Sequence, residues 1–351
     1  MYQSVEIHHF RGLENVKIDG LAWVNLITGP NNVGKTSVLE AILIQAGGAS
    51  AVMLASTTEA LRGAQALRLD FREGGVAIWD SDFFNFDTSF PVVIKVTMDD
   101  GEVRQVSLRT PLSTTEIQPH LIPTGTSVST MPSRSLDVEV SVGNHSTTYH
   151  QFVEPNGFRI DPPADKPLPA ALQTSGPPNH QALADFFSTA VRRGLKAQLT
   201  DALNALDTRI YDLELLQYGG YSMIHAHIHG VSVPIPLHLV GEGTQRLLNA
   251  LLNISANAGG VVCIDEIDGG IHYSALPEVF KEIYEMAKVN DVQVVATTHS
   301  QNCVAGALEG LKDFDALRLF RLARNDSGSV ESFVYDQDAI EGALSLGLDL
   351  R

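Results

Sequence analysis

The sequence predicts an α/β fold whose core is split, with its two halves at the two ends of the chain. Three observations predict it. A phosphate-loop pattern, G-x-x-x-x-G-K-[ST], stands at Gly29–Thr36 between a strand-like run and a helix-like one. Strand and helix patterns alternate over 260–322, as expected of a parallel sheet with covering helices. Between these regions, from about 50 to 180, the sequence turns Ala/Ser/Thr-rich, then hairpin-like, then proline-rich.

Taken in order, strands are expected at 2–10, 14–18 and 22–28, with a turn at Arg11-Gly12, then the phosphate loop and a helix over Ser37–Gln45. Hairpins are expected at 92–108, turning at Asp99-Asp100-Gly101, and at 136–153, turning near Gly143-Asn144. Pro155–Pro178 reads as a loop or linker. Residues 181–206 repeat Leu183, Phe187, Ala190, Leu199 and Leu203 at helical spacing and predict one long helix. No second heptad run pairs with it, so no coiled-coil arm is expected. Strands then follow at 209–217, 221–229 and 231–239, and a helix at 243–257. Strands at 260–264, 292–297 and 316–322 alternate with helices at 276–289 and 301–310. There is no internal repeat.

Composition narrows the possibilities. The 351 residues are 44% hydrophobic, as in an ordinary globular chain with a sizeable core. No run approaches the length that spans a bilayer, and Met1–Ile7 lacks the pattern of a signal peptide. Cys263 and Cys303 sit in apolar runs without metal-ligand spacing, so inert thiols and a cytoplasmic location are expected. Net charge is −17, with only 24 Lys and Arg, so the chain as a whole repels a phosphate backbone. DNA binding therefore cannot be argued from charge. It would need a groove assembled on ATP, or a partner.

The candidate site is built from four segments. Glycines let the loop curl so that its backbone N–H groups point inward, where the N-terminus of the following helix adds positive potential. Asn31, Asn32, Val33, Gly34, Lys35, Thr36 and Ser37 are the expected nucleotide-binding residues. Lys35 would reach the β- and γ-phosphates and the Thr36 hydroxyl would hold Mg²⁺. Gly260–Ile267 is an apolar strand ending in two acids, Asp265 as the second metal-side residue and Glu266 as the base that polarises water. Val292–Thr298 is a third strand, ending in His299-Ser300, where an imidazole can donate to a γ-phosphate. Finally, Gly241, Glu242, Gly243 and Thr244 form a glycine-bearing turn that opens a helix. This second anion site would serve another subunit.

This ordered set resembles the ABC-type ATPase heads of the SMC/RecF/OLD group, and more narrowly the small bacterial AAA15/AAA21-type ATP-binding proteins. It comprises Gly29–Ser37 (Walker A), Val240–Arg246 (signature turn), Cys263–His272 (Walker B) and Thr297–Ser300. The opening Phe10-Arg11-Gly12 also looks like the start of these heads. The resemblance implies an ABC-type P-loop NTPase head, a mixed β-sheet with covering helices. Its halves would lie at 1–49 and 205–351, split by a β-rich and helical insertion at 50–204 serving as a sensor or partner lobe. It further implies ATP and Mg²⁺ as cofactors, and a homodimer in which each ATP is clamped between one head's phosphate loop and the other's signature turn.

Several positions depart from the family pattern. Gly241 stands where the signature usually has Ser, and Glu242 adds a nearby negative charge, so slow or partner-activated hydrolysis is expected. A Q-loop glutamine should fall in the 50–95 stretch. No zinc hook is present, and no nuclease domain is expected in this chain.

The function implied is an ATP-gated switch controlling a separately encoded effector, a Toprim-like nuclease, in phage defence. The alternative is a DNA repair or maintenance ATPase that itself grips duplex DNA across the dimer. A transporter ATPase subunit fits less well, given the missing Ser-Gly-Gly signature. No membrane partner is expected.

Overall fold

The fold is that of a computed structural model, which describes residues 1–50, 79–110, 135–154, 157–176 and 178–351. The chain opens with β1 (Tyr2–Phe10), β2 (Leu13–Asp19) and β3 (Val24–Thr28), followed by α1 (Lys35–Gly47). Next come β4 (Val92–Met98), β5 (Val103–Arg109), β6 (Ser135–Val142), β7 (His145–Glu154), β8 (Gly157–Asp161) and β9 (Ala170–Gln173). Helices α2 (His180–Arg192) and α3 (Lys196–Leu206) lead to β10 (Ile210–Tyr218), β11 (Tyr221–Ile228) and β12 (Ile235–Pro236). The remainder is α4 (Glu242–Ala256), β13 (Val261–Ile264), α5 (Leu276–Asn290), β14 (Gln293–Thr297), α6 (Gln301–Leu311), β15 (Leu317–Arg324), β16 (Val330–Tyr335) and α7 (Gln337–Ser345).

Two large sheets sandwich the phosphate-loop helix. One is antiparallel, with strand order β2-β1-β4-β5-β6-β7-β8. The other runs β16-β15-β3-β14-β13-β9, parallel except for β16 at its edge. Its central strands β3, β13 and β14 are buried at every residue, which explains their continuous apolar runs. Helix α1 is apolar on nearly every side for a related reason. Val38, Leu39 and Ile42 share one core with Ile7 and Ile94 of the antiparallel sheet and with Cys263 and Val295 of the parallel one. The opposite face of the parallel sheet packs against α2 to α6, joining Leu26, Val262, Ile264 and Val294 to Phe187, Leu251 and Phe280.

Most expected elements are present within a residue or two, but three readings need correction. The predicted helix 181–206 is two helices, because Gly194 adopts a left-handed conformation (φ 78°) and the chain re-enters through Leu195, whose N–H bonds to the Ala190 carbonyl. The strand expected at 231–239 pairs only at Ile235–Pro236 and then tightens into a 3₁₀ turn, since Pro234 and Pro236 have no N–H to donate. The proline-rich linker carries β8 and β9, and β9 pairs in parallel with β13 along its whole length. That pairing joins residues about ninety apart, and no local pattern announces it. Strands β4 to β8 continue the sheet that β1 and β2 begin, so the 50–204 segment contributes to both large sheets.

Both cysteines are free and buried, and burial pushes each thiol well above its ordinary pKa. Among the described residues no helix is long and apolar enough to cross a membrane.

The β9–β13 junction gives a stability test. A Cβ on Gly260 would lie 1.8 Å from the Pro169 carbonyl oxygen, whereas one on the exposed helical Gly342 meets nothing within 4 Å. Gly260→Ala is expected to lower unfolding free energy by about 2–4 kcal/mol in denaturant titrations, and Gly342→Ala to raise it by up to about 1 kcal/mol.

Candidate nucleotide-binding site

Two glycines shape the phosphate loop. At Gly29 (φ 137°) a Cβ would sit 2.3 Å from the Leu322 carbonyl oxygen, and at Gly34 (φ 108°) one would sit 2.5 Å from Leu13 Cδ2. Between them Asn32 is left-handed (φ 61°), and its carbonyl accepts from Arg324 Nη2 at 3.4 Å. Val33 is buried beneath the loop, while Asn31 and Asn32 are exposed. Gly34 is the N-cap of α1 and supplies no side-chain acceptor, so the first N–H groups of the helix remain open to an anion. Ser37 lies half-buried in that first turn. From the other side Arg11 anchors the β1–β2 turn, pairing with Glu40 of α1 at 2.8 Å and Asp82 at 3.0 Å.

Lys35 is buried, and its Nζ donates to the Gly29 and Pro30 carbonyls at 2.8 and 2.9 Å. Burial lowers its pKa, with Asp265 and Glu266 opposing the shift. The Thr36 hydroxyl lies 3.2 and 3.3 Å from the two Asp265 carboxylate oxygens. Asp265 also accepts from Thr297 Oγ1 at 2.5 Å, and the Glu266 N–H donates to that same hydroxyl at 2.9 Å. Glu266 is exposed and left-handed (φ 50°), a strained backbone for a non-glycine residue.

Arg246, buried in α4, holds this elbow from behind. Its Nη2 donates to the Asp265 and Glu266 carbonyls at 2.9 and 2.6 Å, and its Nη1 to the Ser175 carbonyl at 3.3 Å. Two further groups complete the edge. His299 is exposed, directly after Thr298, whose hydroxyl donates to Asp268 Oδ1 at 2.7 Å and accepts from the Ser300 N–H at 3.0 Å. Gln173 ends β9, where its carbonyl accepts from the Asp265 N–H at 2.8 Å and its Nε2 donates to the Arg246 carbonyl at 3.2 Å. Its Oε1 is buried with no partner.

Gln173 lies outside the 50–95 stretch where the sequence places a Q-loop glutamine; the one glutamine in that stretch, Gln65, lies outside the described residues. The available signal was a glutamine closing the short apolar run Ala170–Gln173, hidden by the prolines around it.

The structure thus brings Lys35, Thr36, Asp265, Glu266 and the His299 turn to one edge of the parallel sheet. The signature turn opens α4 against the 268–272 loop. Gly241 is extended, α4 begins at Glu242 without a side-chain cap, and Thr244 is buried. A Cβ on Gly243 would meet the Gly270 carbonyl oxygen at 2.5 Å, and one on Gly270 would meet Glu242 Cγ at 2.9 Å, so the turn packs on the 268–272 loop. Among the described residues no hydrogen bond joins 241–244 to 29–37. The donor set fits a magnesium–triphosphate: a hydroxyl beside a carboxylate, an uncapped helix start and an unpartnered buried amide oxygen.

Comparison with known proteins agrees with this geometry. The family described as "AAA domain, putative AbiEii toxin, Type IV TA system" matches residues 24–305. A Helicobacter pylori protein named "ATP/GTP phosphatase" is 22% identical, the match covering 96% of each chain. The DNA replication and repair protein RecF of Heliobacterium modesticaldum is 40% identical over 48 residues, 14% of this chain and 13% of that one. Among solved structures, an Smc head domain from Pyrococcus furiosus, bound to the C-terminal domain of ScpA, aligns with TM-score 0.50 at 13% identity, covering 98% of both chains. That likeness shows the fold, an ABC-type P-loop head.

The lowered pKa of Lys35 makes a pH prediction. Phosphate favours the charged amine, so triphosphate affinity is expected to weaken as pH rises through a midpoint below the ordinary 10.5, a drop that Lys35→Arg removes in calorimetric titrations. Folding moves the opposite way. The unfolded chain keeps that proton to higher pH, so the Lys35 contribution to stability grows as pH rises through the same window.

Proposed function

The chain belongs to the AAA_21 family of AAA domains, and from that premise we propose that it is an ATP-hydrolysing switch in which two copies clamp two ATP molecules. One observation carries this reading. A single chain gathers Lys35, Thr36, Asp265 and Glu266 at one edge, while its signature turn, an uncapped helix start, packs on the 268–272 loop and makes no hydrogen bond to its own phosphate loop among the described residues. Such a turn can serve the triphosphate of a second copy.

In this reading the loop N–H groups and Lys35 bind the β- and γ-phosphates, with Asn31 to Ser37 lining the cradle. Mg²⁺, held by Thr36 and Asp265, would neutralise charge building on the phosphate oxygens. Glu266, aimed outward by its left-handed backbone, accepts a proton from water as the water oxygen attacks the γ-phosphorus. The bond to the β–γ bridging oxygen breaks, leaving ADP and phosphate. Gln173 offers its unpartnered oxygen to that water or to the metal's coordination shell. His299 donates to the γ-phosphate and registers its departure. Gly241 and Glu242 give the partner's phosphate backbone donors and a nearby negative charge, but no hydroxyl, which favours slow or partner-stimulated turnover.

The 50–204 segment, anchored in both sheets, is the proposed platform for a separately encoded effector of the Toprim nuclease type. The family description, a putative toxin of a toxin–antitoxin system, supports a defensive setting. The net charge of −17 weighs against a head that grips DNA unaided.

Light scattering on Glu266→Gln tests the clamp. The variant is expected to bind Mg-ATP, stall before hydrolysis, and double in mass in a way that Lys35→Ala abolishes. An unchanged mass with and without ATP would refute the clamp, and duplex DNA joining the ATP-bound species would favour the repair reading.

A further inference from the structure

The segment after α7 is docked across the end of the parallel sheet. Gly347 (φ 68°) turns the chain back, and the Leu350 side chain, 2% exposed, enters the same core as Leu26 and Val294. Thr28, the last residue before the phosphate loop and fully buried, donates its hydroxyl to the Leu350 carbonyl at 2.6 Å. Gln301, the first residue of α6 and two beyond His299, grips the segment with both ends of its amide. Its Nε2 donates to the Leu348 carbonyl at 2.8 Å and its Oε1 accepts from the Leu350 N–H at 3.1 Å. Arg321 Nε adds a bond to the Arg351 carbonyl at 2.9 Å from β15. One short peptide therefore ties the strand entering the phosphate loop to the helix leaving the His299 turn.

We propose that residues 346–351 form a strap fixing the His299 turn relative to the phosphate loop, with Thr28 and Gln301 as the positioning residues through which it acts on hydrolysis. Packing alone asks only for Leu350. Valine would fill the Thr28 site with the same shape, and an exposed helix start does not require an amide gripping the strap at two points. The polar bonds add direction, holding two backbone segments at a fixed offset, which is what a donor to the γ-phosphate needs. The proposal rests on the reading of His299 as that donor.

The test is a double-mutant cycle in the full chain, reading steady-state ATPase kinetics and Tm for Gln301→Ala, Thr28→Val, His299→Ala and Gln301→Ala with His299→Ala. Gln301→Ala is expected to lower kcat about tenfold with KM held within about twofold, and to lower it no further once His299 is gone. Thr28→Val, which keeps the shape of the site, should lower kcat in the same sense and serves if Gln301→Ala does not fold. Loss of Tm with kcat unchanged, or losses that multiply in the double variant, would overturn the strap while leaving His299 in its role. No loss in His299→Ala would remove the sensor reading and the strap together, while the Glu266→Gln clamp experiment stands independently.

Discussion

The register of three parallel strands is the constraint on which the site depends. Ile264 pairs with Ala296, and Ala296 with Leu26, so β13, β14 and β3 end within two residues of one another. Asp265 just beyond β13, Thr297 at the end of β14 and the phosphate loop just beyond Thr28 therefore lie on one edge, where the crevice of an open α/β sheet receives its ligand. A slip of one residue between β13 and β14 would send Asp265 to the other face of the sheet and part it from Thr297. Burial enforces the register. Every residue of these strands is covered on both faces, by α1 and the antiparallel sheet on one side and by α2 to α6 on the other.

Charge is arranged around that edge in an unusual way. The chain is acidic, and Asp265, Glu266 and Asp268 lie in the turn beyond β13, with Asp265 beside Thr36 and Asp268 on Thr298. Two cations face this group from within, and they are used differently. Arg246 directs its Nη1 and Nη2 donors to backbone carbonyls and holds the acidic turn in place. Lys35 is held on the loop's own carbonyls, where burial lowers its pKa, so an arriving phosphate replaces weak acceptors with strong ones. With so many carboxylates present, a divalent cation bound with the nucleotide would reverse the local sign of the field.

Much of this was legible in the sequence because it is local. A phosphate loop needs its glycines at fixed offsets, and here the backbone angles and near contacts at Gly29 and Gly34 show why. The apolar runs that became β3, β13 and β14 were readable because central parallel strands are apolar throughout. What could not be read depends on distant partners. β9 is Ala-Ala-Leu-Gln among prolines, a poor strand by propensity, and exists because β13 offers it a free edge. Gln173 was lost with it. The break at Gly194 was visible as a glycine, yet helical spacing resumes after it, and periodicity alone cannot tell a break from a tolerated glycine.

The two threonines that precede His299 brace the acidic turn around Glu266. Thr297 bonds to Asp265 and to the Glu266 N–H, while Thr298 bonds to Asp268, so adjacent hydroxyls grip the acidic turn on both sides of Glu266. A left-handed glutamate costs on the order of 1–3 kcal/mol and persists only where its surroundings over-determine it. Here they do, through Thr297 in front and Arg246 behind. The consequence is mechanical. Any shift of the His299 turn that breaks the Thr297 bond also removes a support from the strained glutamate, so the positions of the two proposed catalytic groups, His299 and Glu266, are coupled through Thr297.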